Sequence, residues 1–222
     1  MVLFHGSDKI IEYPRFGYGR RDNDYGQGFY CTESYDLASE WAAVSDKGGI
    51  VNQYSLDIED LTVLDLTSDD YSILNWLAIL LSNRIVRLAN PIENRGREYL
   101  LDNFNLDISS YDVITGYRAD DSYFSFSRAF LSNTITYQQL KKAMSLGDLG
   151  IQFMLKSEKA FDSIKFDKFT YVSDTSYHLS RVSRDVSARM RYQQLLQDID
   201  ENGLYLSDFI RKEISFDELR LL

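Results

Sequence analysis

The stretch "VLFHGS" at residues 2–7 constrains the fold most. An apolar run closing on a polar triplet is the pattern of a β-strand that delivers its last residues to a site. The connection that comes after it, "YPRFGYGRRDNDYGQG" at residues 13–28, is rich in glycine, tyrosine and charge. A connection so long and polar is uncommon in a compact domain unless it serves a function. Next, "FYCT" reads as a short strand and "SYDLASEWAAVS" as a helix with Leu37, Ala38, Trp41 and Ala42 on one face, capped by Ser34 or Asp36.

Further along, "GGIVNQYSLD" is a strand opened by glycines and "LTVLDL" a strand with alternating faces. Leu74, Leu77, Ala78, Leu81, Ile85 and Leu88 give residues 71–88 a helical period, and the polar "ANPIENRGRE" reads as a loop. "YDVITGYRADD" is a buried strand running into a loop, and "SYFSFSRAFL" and "TYQQLKKAM" are short helices. "LGIQFMLKS" and "SIKFDKFTYV" are closing strands separated by a helical turn at residues 158–161. From Tyr177 the period is helical through Leu179, Val182, Val186 and Met190. Gly203 interrupts it before "LYLSDFIRKEI". There is no internal repeat and no low-complexity tract. The pattern predicts a mixed α+β domain over residues 1–173 and a helical C-terminal extension over residues 174–222.

Composition narrows the function classes. With 44% hydrophobic residues the chain can bury a core, and a formal charge of −10 gives it no global attraction to nucleic acid or anionic membranes. The single cysteine, Cys31, excludes an internal disulfide and a multi-cysteine metal site, and suits a reducing compartment. No secretion signal is apparent, and no apolar run reaches the ~18 residues of a membrane span. A cytoplasmic protein without membrane contact is expected. His5 and His178 lack ligand spacing, so no metal is expected.

"FHGS" followed by "GQGFYCTESYDLASEWA" resembles the nicotinamide-binding half of the ADP-ribosyltransferase superfamily, in its diphtheria-toxin-like and poly(ADP-ribose)-polymerase-like branch. There a first-strand His-Gly-Ser/Thr precedes a glycine-rich strand with a tyrosine and a helix with a second aromatic. Tyr30 matches the strand tyrosine, and Trp41 stands where the helix tyrosine is usual. With "VNQYSLD", "YDVITGYRADD" and "IQFMLKSEKAF" added, residues 1–170 are similar to a bacterial family of that superfamily often found beside small antitoxin-like genes. The resemblance implies a split β-sheet core with flanking helices, and NAD as substrate.

The residue types suit that implication. Gly6 can offer its backbone N–H and C=O to a carboxamide, Ser7 can add a hydroxyl bond, and His5 can bond a ribose hydroxyl. Tyr30 and Trp41 can stack on the electron-poor nicotinamide at about 0.5–2 kcal/mol per contact. One of Arg15, Arg20 and Arg21, with Arg15 the first choice, suits the pyrophosphate, because a guanidinium fork matches phosphate oxygens.

The superfamily usually places a glutamate at the start of a late strand, where it stabilises charge developing on the ribose. This chain has Gln152 there, which keeps a hydrogen bond and lacks the charge. Either another carboxylate assists, with Asp120 of "RADD" preferred over Asp121 or Glu158, or the domain binds NAD and catalyses poorly. The leading expectation is a mono-ADP-ribosyltransferase, a toxin or defence effector acting on a protein or nucleic acid and held by an antitoxin protein. Its residues would be His5, Tyr30, Gln152 and Asp120 for transfer, and His5, Gly6, Ser7, Arg15, Tyr30 and Trp41 for NAD. NAD hydrolysis and a non-catalytic NAD-binding module are the alternatives. Arg181, Arg184, Arg189 and Arg191 form a candidate basic patch for a nucleic-acid acceptor.

Overall fold

The computed structural model describes residues 1–43, 48–88, 90–119, 121–146, 150–198 and 200–220. Its strands are β1 (Val2–Ser7), β2 (Phe29–Cys31), β3 (Gly49–Leu56), β4 (Val63–Asp65), β5 (Val113–Tyr117), β6 (Ile151–Leu155) and β7 (Ile164–Val172). They form two sheets, ordered β1-β3-β7 and β2-β6-β5-β4, in which β4 and β5 are parallel and the other pairs antiparallel. The α+β class expected from the alternating strand and helix patterns is the one observed.

By contact the chain forms two compact units, Met1–Thr67 with Asp107–Arg118 and Leu149–Arg184, and Ser68–Leu106 with Ala119–Asp148 and Asp185–Leu222. The first unit holds every one of these strands. Its main core takes Leu3, Tyr54 and Leu56 from one sheet and Phe29, Cys31, Val113 and Leu155 from the other. Each large apolar side chain so buried contributes about 1.5–3 kcal/mol. Helix α1 (Tyr35–Ala42) covers the opposite face of the three-stranded sheet, where Ala38 and Ala42 meet Val51 and Val172. Ser34 caps it, its hydroxyl accepting from the Leu37 N–H at 3.2 Å. The helix lies so close to β1 that a Cβ on Gly6 would stand 1.9 Å from the Ala38 carbonyl oxygen, so only glycine fits there.

Helices dominate the second unit. Helix α2 (Ile73–Asn83) is buried continuously from Ile73 to Leu81, as expected of a helix at the centre of its own core. The helical period of residues 71–88 overshoots its end. Arg84 is extended and Ile85 is 86% exposed, and the Arg97 guanidinium takes the Leu81 carbonyl that another turn would have used. The expected loop at "ANPIENRGRE" is instead the start of helix α3 (Pro91–Phe104). Asn90 caps that helix by accepting from the Glu93 N–H at 2.9 Å, and Pro91 occupies the first turn, where its missing N–H costs nothing.

Helices α4 (Asp121–Leu131) and α5 (Tyr137–Ala143) come next, and in the first unit α6 (Glu158–Ser163) precedes β7. Helix α7 (Asp174–Leu195) carries the expected C-terminal helical period, and α8 (Leu206–Lys212) and α9 (Phe216–Leu219) end the chain. Phe209 of α8 packs edge-on against Phe104 and Phe130, both at 6.2 Å. Among the described residues no helix is long and apolar enough to cross a membrane.

Candidate functional site at the end of the first strand

Phe4 bonds Thr32 with both its backbone groups, N–H to O at 2.7 Å and O from N–H at 2.9 Å. Backbone polar groups alternate sides along a strand, so those of Gly6 face the same way as those of Phe4 and away from β3. Beyond Thr32 the chain turns into α1 through the Ser34 cap. Among the described residues, Gly6 is therefore left with one N–H and one C=O on an unpaired edge.

His5 lies on the other face of β1, partly buried, its ring 4.5 Å from that of Phe29. Its Nδ1 is 2.6 Å from the Tyr30 carbonyl oxygen. A carbonyl only accepts, so Nδ1 carries the hydrogen and Nε2 is left as an acceptor. Burial lowers the pKa of the ring, and the Tyr30 carbonyl opposes this. Burial is the larger effect and keeps the imidazole neutral, while the Tyr30 carbonyl fixes its tautomer.

The Ser7 hydroxyl donates to the Lys9 carbonyl at 2.5 Å and accepts from Asn52 Nδ2 at 3.1 Å, so it is engaged within the turn that leaves β1. Asn52 was not singled out in the sequence, yet it is fully buried and organises that turn. It donates to the carbonyls of His5 at 3.4 Å and Lys9 at 3.2 Å and accepts from the Ile11 N–H at 2.9 Å.

Tyr30 pairs with Met154 across β2 and β6, which puts Tyr30 and Gln152 on one face of the four-stranded sheet. The Tyr30 hydroxyl donates to the Gly26 carbonyl at 2.7 Å and accepts from the Tyr25 N–H at 3.0 Å, and the two tyrosine rings stack at 6.4 Å. Residues 23–26 form a tight turn, closed by the Gly26 N–H on the Asn23 carbonyl at 3.1 Å, with Gly26 at φ +87°. Asp24 and Tyr25 are the buried corner residues of this turn. Tyr25 Oη donates to the Tyr117 carbonyl at 2.6 Å. Gln152 Nε2 donates to the same carbonyl at 3.2 Å and to Asp24 Oδ2 at 2.8 Å.

Asp24 thus places a buried carboxylate against Gln152. The available signal was an acidic residue inside an Asn-Asp-Tyr-Gly turn directly ahead of a strand. Asp120, the carboxylate preferred from the sequence, lies outside the described residues. Glu158 is exposed at the start of α6.

Trp41 sits beside Gly6 on α1, its Cβ 2.9 Å from the place a Gly6 Cβ would take. The Arg118 guanidinium lies over its ring at 5.1 Å, and its indole Nε1 is buried with no hydrogen-bond partner among the described residues. Next to it, buried Glu40 is paired with Arg184. Burial raises the Glu40 pKa, against the opposing pull of Arg184, Arg118 and Arg181.

Arg15 is exposed, 5.9 Å from the centre of the Tyr18 ring, and Arg20 is paired with Asp22. Of the four α7 arginines, Arg184 holds Glu40, Arg189 holds Asp185, and Arg191 donates to the Leu146 carbonyl. Cys31 is a buried thiol whose pKa burial pushes well up, which makes it unreactive. Among the described residues no group of three or more His, Cys, Asp or Glu side chains is placed to hold a metal ion.

The family described as "Protein of unknown function (DUF3990)" matches residues 1–166, and the chain belongs to that family. No curated protein and no solved structure matches the chain.

Proposed function

We propose that the chain is an NAD-dependent mono-ADP-ribosyltransferase that moves ADP-ribose to a macromolecular acceptor and releases nicotinamide. The observation that carries this reading is the pairing of a Gly6 backbone edge, unpaired among the described residues, with a neutral, orientation-locked His5 at the end of one strand. A carboxamide has one acceptor oxygen and a donor NH₂, the complement of the N–H and C=O of Gly6. A ribose hydroxyl can donate to His5 Nε2. Trp41 beside Gly6 and Tyr30 on β2 offer aromatic faces of the kind an electron-poor ring prefers. The two-sheet α+β architecture is compatible with the split-sheet core that the sequence resemblance implies.

In the proposed reaction the bond between the ribose anomeric carbon and the nicotinamide nitrogen breaks, and its electron pair leaves with nicotinamide. A lone pair of the acceptor forms the new bond to that carbon, and the acceptor's proton passes to solvent. Positive charge develops on the ribose, and in this reading Gln152 answers it through its amide oxygen. The acceptor, protein or nucleic acid, would define the chain as an intracellular toxin or defence effector under the control of an antitoxin protein.

A non-catalytic NAD-binding module is the second reading, favoured by the neutral amide where the superfamily usually has a glutamate. Incubation with adenylate-labelled NAD and a cell lysate, before and after protease or nuclease, separates the readings. Label entering a macromolecule supports transfer and names the acceptor class. NAD loss without labelled macromolecule indicates hydrolysis, and NAD binding without turnover indicates the module.

A further inference from the structure

Gln152 is 3% exposed, and both protons of its amide face acceptors, the Asp24 carboxylate at 2.8 Å and the Tyr117 carbonyl at 3.2 Å. Neither of those groups donates, so only one orientation of the amide satisfies the site. In that orientation Oε1 points away from both, and it accepts no hydrogen bond among the described residues. The Asp24 side of the contact is equally determined. Asp24 sits in a turn held by the Gly26-to-Asn23 bond, and that turn is tied to β2 by the Tyr25 N–H on the Tyr30 hydroxyl. The Tyr25 hydroxyl reaches the same Tyr117 carbonyl that Gln152 uses, at 2.6 Å, so the turn and the amide share one anchor on β5.

We propose that Asp24 is a positioning residue that acts through Gln152: it fixes the amide with its oxygen outward and places a carboxylate behind the amide dipole. The inference rests on the NAD-processing reading. A carboxylate accepting from Nε2–H polarises the amide and makes Oε1 a stronger acceptor, as charge-assisted hydrogen bonds do in a low-dielectric setting. Gln152 and Asp24 together then present to the ribose what a single glutamate presents elsewhere. The amide oxygen makes the contact and the carboxylate behind it supplies the charge. The benefit falls on the transition state, where the anomeric carbon becomes positive as nicotinamide leaves with the electron pair, more than on ground-state binding of NAD.

The test is nicotinamide release kinetics for the full chain as wild type, Asp24→Asn, Gln152→Glu and the double variant Asp24→Asn/Gln152→Glu. Asp24→Asn keeps an acceptor oxygen for Nε2 and loses the charge. It should lower kcat on the order of 10- to 100-fold, the usual cost of losing a supporting residue, with KM for NAD within about threefold. Gln152→Glu sets two carboxylates against each other and should be similarly impaired. The double variant restores one amide and one carboxylate in exchanged places, and should recover most of the lost kcat.

A wild type that releases nicotinamide while Asp24→Asn keeps full kcat overturns this inference alone, as does a double variant no better than the singles. A wild type that neither binds NAD nor releases nicotinamide overturns the proposed function and this inference with it. Should Asp24→Asn fail to fold, NMR of the wild type decides. A Gln152 side-chain amide with one downfield, slowly exchanging proton supports the pairing, and a freely exchanging pair overturns it.

Discussion

The Nδ1 of His5 lies 2.6 Å from the carbonyl oxygen of Tyr30, which makes the ring a fixed donor toward β2 and leaves Nε2 as its only free acceptor. Burial lowers its pKa from the ordinary 6.5, so the folded chain binds fewer protons than the unfolded one as the pH falls through that value. Stability from the neutral ring is therefore fully present above pH 6.5 and is lost as the pH falls toward the folded-state pKa. Thermal unfolding of wild type and His5→Gln between about pH 8 and about pH 5 should show the wild type losing Tm faster on acidification. Parallel curves would contradict the buried neutral ring.

Gly6 is needed for packing as well as for its open edge. In Gly6→Ala the new methyl group would meet the Ala38 carbonyl at 1.9 Å and the Ala42 nitrogen at 2.7 Å. Overpacking of this kind costs about 1–3 kcal/mol, and urea denaturation should show a midpoint lowered accordingly, with m unchanged.

Asn52 contacts four polar groups at the end of β1 and in the turn after it, accepting from one and donating its amide protons among the other three. In Asn52→Leu the Ile11 N–H loses its acceptor, a loss of about 1–3 kcal/mol for a buried donor. Native-state hydrogen exchange should show the Ile11 amide opening far more readily, with α2 in the other unit unaffected.

Tyr30 has two separable roles. Tyr30→Phe removes the hydroxyl between Gly26 and the Tyr25 N–H and should destabilise by about 1–2 kcal/mol. It keeps the ring, so affinity for NAD measured by calorimetry should stay within about threefold. Tyr30→Ala should lose both stability and NAD binding.

Much of this was legible in the residues, and the exceptions have physical causes. The strands at "VLFHGS", "GIVNQYSL" and "IQFML" and the cap at Ser34 carry strong local signals, and they form where the pattern puts them. Helix α2 ends early because the Arg97 side chain takes the Leu81 carbonyl, a tertiary choice that periodicity does not encode. Helix α3 was hidden by the polarity of "ANPIENRGRE", although Asn90 and Pro91 are a start signal in themselves. Asp24 and Asn52 could not be singled out, because their importance lies in partners 128 and up to 47 residues away. The same applies to the engagement of Ser7 by Asn52 and to Arg118 over Trp41.

The most direct test of the central claim, that the Gly6 edge and His5 bind NAD for cleavage, is nicotinamide release from NAD by purified wild type and His5→Ala, with folding checked by circular dichroism. The account predicts release by the wild type and a loss of at least about 100-fold in a folded His5→Ala. Equal rates in the two proteins, or a folded wild type that neither binds NAD nor releases nicotinamide, would contradict it.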